Sequence, residues 1–234
     1  MNNFKNFTFP LLNGILIINK PKDWTSFDVV KKVRGMLKAK KVGHTGTLDP
    51  MATGVLVLCI GKATKSVSKI MGMEKEYIAE VTFGATSNTD DADGEVTPYS
   101  APEGEGREVG LGEIEQLLEQ QFLGTIQQLP PNFSAKKIDG KRAYDLARQG
   151  KEVKLEPNEV VVHKVEILDY KWPKLILRVQ CGKGFYMRSL ARDLGEKLKV
   201  GAYLTKLERT RVGQYSIEQA IKIEEVDGSK LLSY

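Results

Sequence analysis

Val42-Gly43-His44-Thr45-Gly46-Thr47-Leu48-Asp49-Pro50, running on into Met51-Ala52-Thr53-Gly54, is the stretch around which the chain can be ordered. Its nine-residue first part holds two glycines, a histidine, two threonines and one carboxylate, a mixture suited to neither a stable helix nor a strand. Gly43 and Gly46 open backbone conformations closed to other residues. Pro50 fixes its own φ and biases Asp49 toward an extended geometry. Gly54-Val55-Leu56-Val57-Leu58-Cys59-Ile60 follows, an apolar run suited to a buried strand. The reading is a stiff loop holding a lone Asp at the mouth of a core strand, where catalytic groups tend to be placed. By composition alone, Asp before Pro is also ordinary turn chemistry.

Upstream, Gly14-Ile15-Leu16-Ile17-Ile18-Asn19 reads as a short buried strand, broken by Lys20-Pro21-Lys22-Asp23-Trp24. Thr25 or Ser26 then offers an N-cap for a helix through about Leu37. That helix and its exit carry Lys31, Lys32, Arg34, Lys38, Lys40 and Lys41, with no acid between Val29 and Leu48. Six uncompensated bases favour a phosphate-facing surface over a merely solvated one. Downstream, Lys62 to Lys69 suits a short helix with another basic face. Glu76 to Gly84 alternates as a strand, with Tyr77, Ala79, Val81 and Phe83 on one face and Ile78, Glu80 and Thr82 on the other.

A chain of 234 residues has ample core for one large domain or two small ones. No apolar run approaches the length of a membrane span, and Met1 to Asn13 lacks the basic start and apolar core of a signal peptide. Cys59 and Cys181 make neither a metal spacing nor a disulfide framework. A soluble cytoplasmic protein is the expectation. Net charge is only +5, but Asn88 to Gln120 holds ten acidic residues and one base, Arg107, so the surplus of bases lies elsewhere. Those bases come in blocks beside the quoted loop, which points to nucleic acid.

Asn88-Thr89-Asp90-Asp91-Ala92-Asp93-Gly94 has the look of a calcium loop and fails its test, because position twelve is Ser100, where a Glu is needed. It is read as a structured acidic loop. Pro98 to Gly110 reads as a mobile surface connection, and Ile114, Leu117, Leu118 and Phe122 as the core stripe of a helix. Strands are expected at Val160 to Asp169 and Leu175 to Cys181, then a tight turn into a helix, then a strand from Ala202. Strands and helices mingle without a regular βαβ alternation, so the class is α+β, a mixed α/β arrangement.

Gly43 to Gly54 resembles the catalytic loop of the TruB family of tRNA pseudouridine synthases. Further stretches resemble the same family in the same order: Lys20-Pro21 with Thr25-Ser26, Lys75-Glu76-Tyr77, Gln127 to Tyr144, Gly182 to Gly195, and Ala202 to Gly213. Asn19, Asp23 and Phe185 depart from the more usual residues, outside the chemistry. The resemblance implies the pseudouridine synthase fold, a central, mainly antiparallel sheet flanked by helices, in a single catalytic domain spanning 1–234. It implies an insertion at 125–152 that grips the tRNA T-loop. It implies isomerisation of uridine 55 in that loop with an extruded base. No nucleotide or metal motif is present, so no cofactor and no metal are expected.

The resemblance also assigns roles. Asp49 would be the nucleophile, Arg188 its ion-pair partner, and Tyr77 an active-site aromatic stacked on the base. Tyr186 and Leu204 would shape the pocket and His44 would fill the gap left by the flipped nucleotide; from the clustering of charge, Lys20, Lys65 and the Lys31 to Lys41 block are expected to meet phosphates. His163 is read as structural. The expected partner is tRNA, with no membrane and no protein partner, and the chain is expected to be a monomer. Relatives carry a further small RNA-binding domain of the PUA type; the chain stops 21 residues past Gly213, so that domain is expected to be absent. Two other readings fit the same residues: a guide-RNA-dependent pseudouridylase, and an RNA-binding tRNA folding chaperone.

Overall fold

The apolar run after the quoted loop becomes the buried centre of the first of two units. A computed structural model describes residues 12–100, 107–133 and 155–234, with the backbone alone at 137–138 and 141–142. The chain divides into one unit of residues 1–72 with 212–234 and a second of residues 73–211.

The first unit contains β1 (Gly14–Lys20), α1 (Ser26–Met36), β2 (Val42–His44), β3 (Thr53–Ile60) and α2 (Val67–Met71). β1 and β3 run antiparallel, with Gly14 opposite Ile60 and Lys20 opposite Gly54. Every residue of β3 from Val55 onward is buried, which is why the sequence shows an unbroken apolar run there and no alternation. The register has a functional consequence: the last residue of β1 lies beside the exit of the Asp49 loop.

α1 begins where the sequence predicts. Thr25 is its N-cap; the hydroxyl accepts from the Asp28 amide at 3.0 Å and the Asp28 carboxylate accepts from the Thr25 amide at 3.0 Å. This reciprocal pair satisfies two of the donors a helix start leaves open. Val29, Val33 and Leu37 recur at helical spacing and are buried, while Lys31, Lys32 and Arg34 are exposed. Two expectations need correction. Val42–His44 is a strand, because pairing with Leu58–Ile60 satisfies its backbone and tertiary context outweighs its weak propensity. The Lys62–Lys69 helix starts as a 3-10 turn over Gly61–Ser66 before α2.

The second unit runs through β4 (Lys75–Phe83), β5 (Ala85–Ser87), β6 (Val96–Pro98), α3 (Leu111–Gln121), β7 (Gly124–Gln128) and the short pair β8 (Lys137–Ile138) and β9 (Lys141–Arg142). It continues with β10 (Asn158–Lys171), β11 (Lys174–Cys181), α4 (Met187–Lys197) and β12 (Ala202–Val212). Its sheet has the order β12-β4-β11-β10-β7, with β4, β11, β10 and β7 joined antiparallel.

The period-two reading of β4 holds. Tyr77, Ala79, Val81 and Phe83 are buried, and Glu76, Ile78 and Thr82 are half-buried. Glu80 is drawn further in because its carboxylate accepts from the Thr205 hydroxyl at 3.0 Å and the Lys206 ammonium at 2.8 Å. On α3 the stripe Ile114, Leu118 and Phe122 is buried and Leu117 half-buried. α4 packs closely on the start of β12; a Cβ on Gly195 would sit 2.1 Å from the Ala202 amide nitrogen, so only glycine fits. Cys59 and Cys181 are free and buried, their thiols pushed up to about 11 and about 12 by burial, which leaves them unreactive. Most of the expected 125–152 insertion, including Tyr144, lies outside the described residues, as does the middle of the Pro98–Gly110 connection. No helix among the described residues is long and apolar enough to cross a membrane.

Candidate active site

The Asp49 loop is fixed to its unit at points on both sides of the carboxylate. Before it, the Thr45 amide donates to the Val57 carbonyl at 3.0 Å, which anchors the loop to β3. The Ser26 hydroxyl accepts from the Leu48 amide at 2.8 Å and donates to the Leu48 carbonyl at 3.2 Å. After it, the Asp49 carbonyl accepts from the Ala52 amide at 3.1 Å, and the Pro50 carbonyl accepts from the Asp23 amide at 2.8 Å. Leu48 and Met51 are buried in the unit while Asp49 is half-exposed. Apolar neighbours are thus tucked under the loop, and Asp49 between them is less buried.

Lys20 corrects the sequence reading. It was expected to meet phosphate, yet it is fully buried. Its ammonium donates to the carbonyls of Pro21 at 2.9 Å, Trp24 at 2.6 Å and Pro50 at 3.2 Å. A buried ammonium must be compensated, and here three loop carbonyls do so. The cation fastens the 20–24 turn to the Asp49 loop and has no face to offer RNA. Lys65, at the end of the 3-10 turn, is exposed, as are Lys62 and Lys69, so that basic face is available. Along α1, Trp24, Lys31, Lys32 and Met36 line a groove of about 740 Å³ together with Asp23, Asp28 and Gly35. His44 sits half-buried in β2.

In the second unit, Arg188 is the second residue of α4 and is 6% exposed. Its Nε lies 3.5 Å from Asp91 Oδ2, its Nη1 donates to the Thr89 carbonyl at 3.2 Å and its Nη2 to the Phe133 carbonyl at 2.9 Å. Asp91 is itself held: its Oδ1 accepts from the Thr89 hydroxyl at 2.5 Å and from the Asp93 amide at 3.1 Å. The chain folds tightly enough to do this only because residue 94 is glycine, where a Cβ would lie 2.2 Å from the Thr89 hydroxyl oxygen. The acidic loop therefore seats an arginine.

A second pair lies one helical turn on. Arg192 Nη1 donates to Asp90 at 3.1 Å, and its Nε and Nη2 donate to Asp193 at 2.9 and 2.8 Å. Burial, opposed by Arg192 and Arg188, raises the Asp90 carboxyl to about 6, and Asp193 is also raised by burial. The segment carrying the double proline is pinned to α4 by the Ser189 hydroxyl and Arg192 guanidinium, both donating to the Leu129 carbonyl, at 2.7 and 2.8 Å.

Tyr77, on β4 opposite Val179, is buried. Tyr186 is the N-cap residue of α4; its amide donates to Gln128 Oε1 at 2.8 Å and its carbonyl accepts from Gln128 Nε2 at 3.1 Å. Leu204 is fully buried on β12, its amide donating to the Asp90 carbonyl at 3.0 Å. Tyr186, Arg188 and Leu204 are thus tied to one framework of loop 88–94, segment 128–133 and α4. His163 is 3.3 Å from Glu74 on the surface of the same unit. Sequence reasoning missed Asp91, Gln128 and Ser26 as parts of the site. The available signal was two arginines four apart on one helix face, matched by the consecutive acids Asp90 and Asp91.

Residues 34–187 match the model of the TruB family pseudouridylate synthase N-terminal domain, and residues 188–233 that of the tRNA pseudouridylate synthase B C-terminal domain. A tRNA pseudouridine synthase B from Parabacteroides distasonis is 46% identical over 219 residues, 91% of each chain. Another of that name from Ureaplasma urealyticum is 44% identical, covering 93% of this chain and 94% of its own. Among solved structures, a Cbf5–Nop10–Gar1 complex contains a chain with a TM-score of 0.71 at 28% identity. The match covers 92% of this chain and 54% of that one, so this chain spans about half of it. An H/ACA ribonucleoprotein bound to a substrate RNA containing 2′-deoxyuridine matches with a TM-score of 0.67 at 26% identity, over 92% of this chain and 52% of its own.

Proposed function

The chain belongs to the TruB family of pseudouridylate synthases, and on that premise we propose that it isomerises uridine 55 in the T-loop of tRNA, with Asp49 as the nucleophile. The observation that carries this reading is the carboxylate itself. It belongs to a half-buried residue on a loop whose backbone is fixed immediately before and after it. The reaction breaks the bond from N1 of uracil to C1′ of ribose and forms one from C5 to C1′. A proton leaves C5 and N1 gains one, so nothing is oxidised and no energy source is consumed. A carboxylate suffices as the nucleophile provided it stays ionised when the substrate excludes water, and Arg188 is the guanidinium assigned to favour that form. Tyr77 and Tyr186 supply aromatic surface for the base, and Leu204 an apolar wall. His44 is assigned to the space the extruded nucleotide vacates. Lys31, Lys32, Lys65 and their exposed neighbours are assigned to backbone phosphates.

The near-complete mutual coverage with relatives named tRNA pseudouridine synthase B supports a stand-alone enzyme over a guide-dependent one, whereas the matched chain of the Cbf5–Nop10–Gar1 complex is covered over only 54% of its length. The test is pseudouridine mapping on an unmodified tRNA transcript with the purified chain, without guide RNA or metal. Product is expected at uridine 55 of the T-loop alone, and Asp49→Asn should lower the rate by about 10⁴-fold or more while tRNA is still bound. Absence of product from the wild-type chain would overturn the reading.

A further inference from the structure

We propose that Ser26 is a positioning residue for Asp49, acting through the backbone of Leu48; this rests on the reading of Asp49 as the nucleophile. Thr25 and Ser26 stand together at the start of α1, but the helix needs only one of them. Thr25 is the N-cap, with its hydroxyl and amide both engaged by Asp28. The Ser26 hydroxyl plays no part in that cap. It turns across 22 residues of sequence to Leu48, accepting from its amide at 2.8 Å and donating to its carbonyl at 3.2 Å.

Serine is suited to this because one small hydroxyl is donor and acceptor at once. Ser26 is 2% exposed and Leu48 3% exposed, so water is shut out and the two backbone groups depend on that hydroxyl. The consequence is geometric. The Leu48 carbonyl belongs to the peptide that leads into Asp49, and the Leu48 amide to the peptide before it. Tying both to one atom fixes the rotation of the chain as it enters the nucleophile. The atom is itself fixed, because α1 is anchored by Val29 and Val33, both with no exposed surface. On the far side, the Asp49 carbonyl accepts from Ala52 and the Pro50 carbonyl from Asp23. The Cα–Cβ direction of Asp49 is thereby set from two sides, and Ser26 supplies the side-chain contact to the residue immediately before it.

The experiment compares Ser26→Ala with Ser26→Thr, which retains the hydroxyl. Three readouts are used: single-turnover pseudouridine formation, the dissociation constant for tRNA, and hydrogen exchange at the Leu48 amide. Ser26→Ala should slow the single-turnover step by about 10- to 100-fold and change tRNA affinity by less than about twofold, since misplacement of a reacting group acts on the rate. The Leu48 amide should exchange faster while the amides of α1 from Val29 onward keep their protection. Ser26→Thr should recover most of the rate. A wild-type rate in Ser26→Ala, equal losses in both variants, or unchanged exchange at Leu48 would each overturn the proposal. The companion Asp49→Asn measurement separates the two layers: turnover that survives it removes the nucleophile reading, whereas its loss alongside an unimpaired Ser26→Ala removes only the brace.

Discussion

Around Asp49 the fixing contacts include backbone amides and carbonyls met by the Ser26 and Thr45 hydroxyls and one buried ammonium, whereas around Arg188 they include a buried carboxylate and the carbonyls of two distant segments. The first arrangement fixes the chain on both sides of Asp49, the proposed nucleophile, which is half-buried. The second fixes the functional side chain directly and leaves it 6% exposed. A group proposed as a nucleophile must reach the substrate, and these contacts place it through its backbone. A guanidinium proposed to act by its charge can be gripped by its own nitrogens, and burial would strengthen its field.

The sharpest way to break this contrast is Asp91→Ala. Arg188 and Asp91 are both nearly inaccessible, and removing one partner of a buried pair leaves the other uncompensated. A loss of about 3–5 kcal/mol is expected in a denaturant titration, with Arg188 released from loop 88–94. Stability within about 1 kcal/mol of wild type would show the pair to be dispensable.

Lys20 and Lys65 sharpen the comparison from the other side. Lys20→Met should cost about 1–3 kcal/mol through the carbonyls it leaves unmet, without changing the salt dependence of tRNA binding. Lys65→Ala should leave stability within about 0.5 kcal/mol and lower the slope of log K against log salt by about 1. The opposite assignment of effects would restore Lys20 to the RNA surface.

The smallest effect concerns pH. Burial raises the folded-state Asp90 carboxyl from 3.8 to about 6, so the folded chain holds a proton there that the unfolded chain gives up. The stability this group contributes is fully present below about pH 3.8 and is lost as pH rises through about 6. Asp90→Asn cannot titrate, and should flatten that part of the stability profile when wild type and variant are compared by urea unfolding between pH 4 and pH 7. Identical profiles would place the titration elsewhere.

Much of this was legible in the chain. An N-cap at Thr25 or Ser26, the buried run of β3, the alternation of β4 and the stripe of α3 are local patterns, each written within a dozen residues. The motif Gly43 to Gly54 marked the loop, and its wording pointed to the family. What the sequence could not specify is where charges go when segments far apart meet. Lys20 looks like any lysine beside a basic helix until the register of β1 against β3 sets it under Pro50 and desolvates it. Asp91 sits in a stretch that reads only as a structured acidic loop until Arg188, 97 positions on, arrives from α4.

The sequence by itself therefore determined the family, the class of fold, the candidate nucleophile and the basic character of α1, because each depends on neighbours along the chain. Only the tertiary structure decided which lysine is buried and which exposed, which carboxylate seats Arg188, and that Ser26 serves Leu48 while Thr25 caps the helix. Those outcomes turn on burial and on hydrogen-bond partners tens of residues away, and the free energy of a polar group is set by what replaces its water.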